Sequence, residues 1–203
     1  MPRVISYIDG FNMYYGLKSE GWDRYLWLDV QALSRNLLKP EQTLSHTKYF
    51  TSRIGQPPDK VKRQNIYVEA IQSLPDTSVC FGHYMTTPRT CRDCGFTYDV
   101  AQEKMTDVNI AVELLKDAFQ DAFDVAILIS ADSDLVAPIA AVRKLFPEKR
   151  VIVACPPGRF SVALTRAAHA YLKIGHGTIE KSQFPEEIRT SSGFLLRRPA
   201  SWK

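Results

Sequence analysis

Four aspartates stand where this chain passes from apolar runs into polar turns. Asp9 closes VISYID. Asp132 and Asp134 follow the run VAILIS, within ISADSD. Asp107 opens TDVNIAVELLKDAFQ. Carboxylates present hard anionic oxygens, and with no histidine beside them such oxygens suit Mg²⁺ or Mn²⁺ rather than zinc. A cation held by few carboxylates and several waters polarises a phosphoryl oxygen and activates water in line with the leaving group. The chemistry indicated is hydrolysis of a phosphodiester. Between Glu103 and Asp134 eight acids face only Lys104 and Lys116, although the whole chain carries a net charge of +4. Crowding of this kind is costly unless a cation is bound or some carboxyls are protonated.

Each acid alone also has a plain structural use. An aspartate after a strand often caps the next helix or closes a turn, which would account for Asp9 as well as a metal does. One of Asp132 and Asp134 can cap the helix that begins near 135, but only one, so the other needs a second reason. Asp107 is placed by periodicity. At about 100° per residue, Ala118, Ala111, Leu115 and Val108 fall within the next quarter-turn of it. Lys116, Glu113 and Asp117 fall on the opposite, polar side. Asp107 is therefore expected to face the sheet, although an acid in a first turn also favours the helix dipole.

The elements that must position these residues alternate. Strand-like runs at 4–8, 45–54, 77–85, 125–130 and 150–155 are separated by helical patterns at 29–38, 57–74, 106–120, 135–146 and 161–172. The run at 125–130 is continuously apolar, as expected of a strand buried on both faces, and Pro138 fits the first turn of its helix. The alternation predicts an α/β fold, with a mainly parallel sheet of about five strands and helices on both faces. Ligands of such sheets gather at the carboxyl ends of strands, where the strand order reverses. If the strands at 4–8 and 125–130 are neighbours, Asp9, Asp132 and Asp134 converge.

At 203 residues, 45% of them hydrophobic, the chain is long enough for one sizeable core, and no linker suggests a second domain. No stretch approaches the roughly 18 apolar residues of a membrane span, so no membrane partner is expected. The N-terminus lacks the apolar core of a signal peptide, so a cytoplasmic protein is expected. The mildly basic charge is compatible with nucleic acid without demanding it.

YIDGFNMYYG, KMTDVNIAVELL and LISADSDLVAPIAAVR, in this order and spacing, resemble the NYN domain of the PIN-like ribonucleases, over roughly residues 3–175. The resemblance implies a Rossmann-like sheet, clustered acids that hold Mg²⁺ or Mn²⁺, and cleavage of RNA. By position, Asp9, Asp107, Asp132 and Asp134 match the catalytic and metal-binding acids. Asn12 matches the asparagine that follows the first of them, and Ser130 and Ser133 match hydroxyls of the later turn, all three on the substrate side. Glu113 matches a further helix acid of the family, yet the helical wheel sets it on the polar face. The domain would span 1–175, with 86–100 as a cysteine-containing insertion. Residues 176–203, irregular from Ser182 onward, would form a tail packed on the domain or extending from it.

CRDCG at 91–95 has the spacing of half a zinc knuckle. Cys91 and Cys94 would supply two ligands of a structural Zn²⁺. Cys80 and His83, or a second copy of the chain in a homodimer, would supply the rest; two free thiols in a loop are the equal alternative. RNA approaching the acids needs positive charge nearby, and Arg53, Lys62, Arg63, Arg89, Arg92 and Arg159 are candidates. The tail adds Arg197, Arg198 and Lys203 beside Phe194 and Trp202, and basic residues interleaved with aromatics suit single strands. Three other functions compete. An aspartyl phosphatase wants D-x-D at the first strand, where this chain has D-G-F-N. A receiver-like signalling domain wants a lysine after the fifth strand, where VACPPGR stands. A non-catalytic RNA-binding or regulatory protein of the same fold needs nothing that this sequence lacks.

Overall fold

The computed structural model describes residues 1–190 and 192–202, the side chains of 101 and 102 aside. The chain opens with β1 (Arg3–Asp9), α1 (Gly10–Ser19), α2 (Val30–Asn36), β2 (Thr43–Thr51), α3 (Pro58–Gln72) and β3 (Thr77–Phe81). A hairpin of β4 (His83–Thr90) and β5 (Thr97–Lys104) leads into α4 (Thr106–Phe119). Then follow β6 (Val125–Ile129), α5 (Val136–Leu145), β7 (Arg150–Cys155), α6 (Val162–Ala167) and β8 (Ala170–Lys173). The chain closes with α7 (His176–Lys181), β9 (Glu187–Arg189) and β10 (Leu195–Arg197).

Six strands form a parallel sheet in the order β3-β2-β1-β6-β7-β8. Alternation along β1 sends Val4 and Ile8 to one face and Ile5 and Tyr7 to the other. The first pair packs with Met13 and Leu17 of α1, Leu33 of α2 and Ile71 of α3. The second packs with Ile110 and Leu114 of α4, Ile139 of α5 and Leu164 of α6. Helices thus cover both faces, as the alternating pattern predicts. Pro138 is the third residue of α5, where its missing N–H costs nothing. No helix among the described residues is long and apolar enough to cross a membrane.

Three segments differ from the sequence reading. The run 77–85 divides at Gly82 into β3, in the main sheet, and β4, in the hairpin. A Cβ at Gly82 would lie 2.5 Å from the Lys104 carbonyl oxygen and from Ser52 Oγ, so only glycine lets the hairpin cross so close. The helix expected over 161–172 stops at Ala167 and its end becomes the sixth strand. Ala168 is extended, the His169 N–H donates to Val151 O at 2.9 Å, and the Val151 N–H donates to His169 Nδ1 at 3.0 Å. The open edge of β7 captures these residues. The tail after Ser182 is more regular than expected. It carries the β9–β10 ribbon, buries Phe184, Leu196 and Trp202 in the core, and accepts a hydrogen bond from Trp27 Nε1 at Pro185 O, 2.7 Å.

Candidate active site

β1 and β6 are neighbours, and the order runs through β2 to β3 on one side and through β7 to β8 on the other. The reversal therefore falls between β1 and β6, and their carboxyl ends open a crevice there. Asp9 ends β1 and is buried. Its carboxylate caps α1, with Oδ1 accepting from the Asn12 N–H at 2.9 Å. Its Oδ2 accepts from Asn12 Nδ2 at 2.6 Å and from Ser130 Oγ, just past β6, at 2.9 Å. Capping and site formation are thus not alternatives for Asp9. Burial raises its carboxyl above the usual range, against the pull of those donors, and Asp132 adds to the rise. Gly10 stands next to it because the Tyr49 ring crosses there: a Cβ would lie 2.5 Å from the Tyr49 hydroxyl.

Asp107, in the first turn of α4, is half-buried and makes no hydrogen bond to the described residues. Burial pushes its carboxyl up to about 7, helped by the charges of Asp132, Asp9, Glu103 and Asp134 in that order. Four acids from three separate segments therefore act on one carboxyl. Asp132 caps the short turn Ser133–Leu135, with Oδ1 accepting from the Asp134 N–H at 3.0 Å, while its own N–H donates to Ser130 Oγ at 3.1 Å. The carboxylate of exposed Asp134 has no partner among the described residues. It is the second acid, the one that capping leaves unexplained.

Glu103 belongs to this set and was missed as a site residue. It accepts from Ser52 Oγ at 3.0 Å, from the Thr106 N–H at 3.1 Å and from the Thr106 hydroxyl, and so caps α4 in place of Met105, which has no cap bond. An acid three residues before the first helical residue was the signal available.

The remaining expected residues separate. Ser130 is fully buried and positions Asp9, so it cannot touch a substrate, contrary to expectation. Asn12 is half-buried and committed to Asp9, with the same consequence for its amide N–H. Ser133 is exposed beside the acids. Arg159 is exposed, with its guanidinium 5.9 Å from the Tyr15 ring centroid. Glu113 turns away: Lys48 Nζ donates to it at 2.6 Å and Lys116 Nζ at 2.5 Å. Asp117, expected on the polar side, is buried because Lys48 Nζ and the Tyr7 hydroxyl each reach it at 2.6 Å, while Val108 of the expected apolar arc is exposed. Cys91 and Cys94 sit at the hairpin tip, and no third ligand joins them among the described residues. Several expected cations are already engaged: Arg63 with Asp59, Arg53 with Asn65 and the Phe81 ring, Arg197 with Glu187, Arg198 with Glu186.

The donor set is all oxygen, and both Asp107 oxygens, one of Asp132 and both of Asp134 lack a donor among the described residues. That fits a hard divalent cation. No trio of His, Cys, Asp or Glu among the described residues is close enough to hold a metal by itself; a cation bound here would have to keep much of its water.

The NYN domain model matches residues 3–175, nearly the whole length that carries these elements. The chain belongs to the NYN domain family. It has that family's PIN-like ribonuclease fold, with the acids at the reversal of the sheet. The chain is also similar to the 6-hydroxy-3-succinoylpyridine 3-monooxygenase HspA of Pseudomonas putida, 25% identical over 98% of this chain and 75% of that protein. A solved structure of a protein of unknown function from Vibrio parahaemolyticus shares the fold. It superposes with a TM-score of 0.56 at 17% identity over 86% of this chain and 94% of that one.

Proposed function

We propose that this NYN protein is a divalent-cation-dependent ribonuclease. The observation that supports the reading is that Asp9, Asp132 and Asp134 follow the two strands at the β1/β6 reversal and that their charges act on Asp107, with most of these oxygens unmatched by a donor among the described residues. Asp9, Asp107, Asp132 and Asp134 would hold Mg²⁺ or Mn²⁺, which supplies activated water and neutralises charge on the phosphoryl oxygens. Asn12 and Ser130 hold the Asp9 carboxylate in one orientation. Asp107, half-buried and without a hydrogen-bond donor among the described residues, keeps both carboxylate oxygens for the cation and its waters. Ser133, exposed between Asp132 and Asp134, would meet a phosphate, and exposed Arg159 would attract RNA from the Tyr15 side.

The test is end-labelled single-stranded RNA incubated with the purified chain in Mn²⁺, Mg²⁺ or EDTA. Cleavage in either cation and none in EDTA is expected. Retained RNA with no cleavage in any of the three would make this a binding protein of the same fold.

A second reading is favoured by one observation: an aromatic-walled cavity opens directly beside Asp9. The Pseudomonas relative is named for oxygenating a substituted pyridine. On this reading the chain handles a small heteroaromatic acid, and it requires such an acid to bind while RNA is left intact.

A further inference from the structure

The cavity is about 870 Å³ and lies between α1, α3, the end of β2 and the hairpin. That is the size of a small-ligand pocket, about 300–1,000 Å³. Its walls are rings: Phe11, Tyr14 and Tyr15 from α1, Tyr67 from α3, Tyr84 from β4, and Trp202. Several of these meet edge to face, Tyr14 with Tyr15 at 5.2 Å, Phe11 with Tyr84 at 6.1 Å and Tyr67 with Trp202 at 5.7 Å between centroids. Rings paired in this way keep face area for a planar guest.

Two polar features aim at the same space. Tyr49 is 94% buried, since 6% of it is exposed, yet its hydroxyl has no hydrogen-bond partner among the described residues and lines the cavity beside Gly10. That hydroxyl opens on the cavity and is free to donate to or accept from a bound ligand. Of the cations on the wall, Lys18 is paired with Asp23 and Arg63 with Asp59, but Lys60 has no acid partner among the described residues. None of the four acids lines the cavity, but two of its walls start next to Asp9. Gly10 and Phe11 follow Asp9, and Thr51 follows Phe50, the register partner of Asp9.

We infer that this cavity binds one unstacked nucleotide, its base among the rings of α1 and α3, its phosphate toward Lys60. The inference rests on the ribonuclease reading for the source of that nucleotide, an RNA chain whose neighbouring phosphodiester then lies at the acids. A free mononucleotide offers the same chemistry. Stacking is sequence-tolerant because every base has a π-face, while the Tyr49 hydroxyl, Thr86 and Asp99 on the wall give polar contacts that separate one base from another.

The experiment uses the full chain in EDTA. Each of the four ribonucleoside 5′-monophosphates, a free nucleoside, ribose 5-phosphate, a pyridine carboxylate and a short single-stranded DNA oligonucleotide are titrated by calorimetry, with intrinsic tryptophan fluorescence followed in parallel. At least one mononucleotide should bind, ribose 5-phosphate should not, and the oligonucleotide should bind more tightly than the free nucleotide. Gly55→Trp fills the cavity from its wall, where a Cβ meets nothing within 4 Å. It should weaken binding by about tenfold or more, the scale of a lost base stack. Lys60→Ala should weaken the phosphates and spare a free nucleoside. Thr86→Trp, from the exposed hairpin side, repeats the occlusion should Gly55→Trp fail to fold. Equal binding of ribose 5-phosphate, preference for the pyridine acid over every nucleotide, or parent affinity in a folded occluded variant would overturn the inference. Mononucleotide binding in a chain that cleaves no RNA upholds the pocket and removes the nuclease. Unchanged RNA cleavage in Gly55→Trp does the reverse.

Discussion

Toward its C-terminal end, α4 carries Glu113 and Asp117, and both meet Lys48. Asp117 also accepts from the Tyr7 hydroxyl, and Lys48 is nearly as buried as Asp117 itself. Burial alone would raise Glu113, but hydrogen bonds from Lys116 and Lys48 outweigh it and hold the carboxyl below its usual range. At its N-terminal end the same helix carries Asp107, which feels three further aspartates and Glu103, has no ion pair among the described residues, and is pushed up to about 7. One helix thus holds acids whose charge the fold neutralises and an acid whose charge it leaves open. The first arrangement is complete within the chain. The second is electrostatically unfinished, and that separates a site from a structural ion pair more sharply than the number of acids does.

The largest effect should come from removing an open acid. Asp134→Asn keeps size and removes a charge that no group among the described residues pairs with, so stability should stay within about 0.5 kcal/mol of the parent, as for surface changes generally. RNA cleavage should fall by about two to three orders of magnitude, since a metal ion contributes several kcal/mol and each ~1.4 kcal/mol is tenfold. Asp9→Asn is a poorer probe, because Oδ2 accepts from two donors and an amide nitrogen there would face both. Parent-like turnover in Asp134→Asn would leave that residue a bystander and shift the weight to Asp107 and Asp132.

The neutralised end should respond in the opposite way. Lys48→Met strands Asp117 in the core with only the Tyr7 hydroxyl, and breaking a buried pair from one side costs about 3–5 kcal/mol. The double variant Lys48→Met/Asp117→Leu should recover most of that loss, with Glu113 keeping Lys116. Urea unfolding measures both, and cleavage per folded molecule should not change. Loss of cleavage at unchanged stability in Lys48→Met would merge the two ends into one site.

The sequence shows the neutralised end of α4 less well than the open one. Asp9, Asp107, Asp132 and Asp134 are legible because three of them follow strand-like runs and one opens a periodic helix, positions at which an α/β sheet collects its ligands. Asp117 was misplaced because its partner lies 69 residues earlier in the chain, and an ideal wheel cannot know that a lysine is buried opposite. The strand alternation also carried most of the sheet. It failed where one glycine turned the chain out of it, at Gly82, and where an edge recruited a helix end, at Ala168. Helix α1 went unread because Gly10, Gly16 and paired tyrosines are poor helix formers, and its cap and its packing on β1 decide the matter. The aromatic cavity was invisible for a related reason: its walls come from α1, α3, the hairpin and Trp202, segments with no common motif.

The smallest expected effect is also the most direct reading of the open end. Asp107 titrates at about 7 in the folded chain against 3.8 ordinarily, so between about pH 4 and 7 the folded state holds a proton that the unfolded state has released. Linkage then fixes the sign. The stability that this proton confers is fully present below about pH 4, declines as pH rises, and is gone above about pH 7. Asp107→Asn cannot ionise and should lack that decline. Without metal, the variant should therefore gain on the parent between pH 4 and 7, by on the order of 1–2 kcal/mol once solvent screening at a half-open position is allowed for. Mn²⁺ should erase the difference near pH 7. A cation bound at a hundredfold excess over its Kd stabilises the parent by about 2.7 kcal/mol, and the variant, short of one ligand, gains less. Chemical denaturation of both chains at pH 4.5 and 7.5, in EDTA and in Mn²⁺, gives the four comparisons. Parallel pH dependence of parent and variant in EDTA would mean that the open end is solvated like an ordinary surface, and that the contrast along α4 is one of geometry and not of charge.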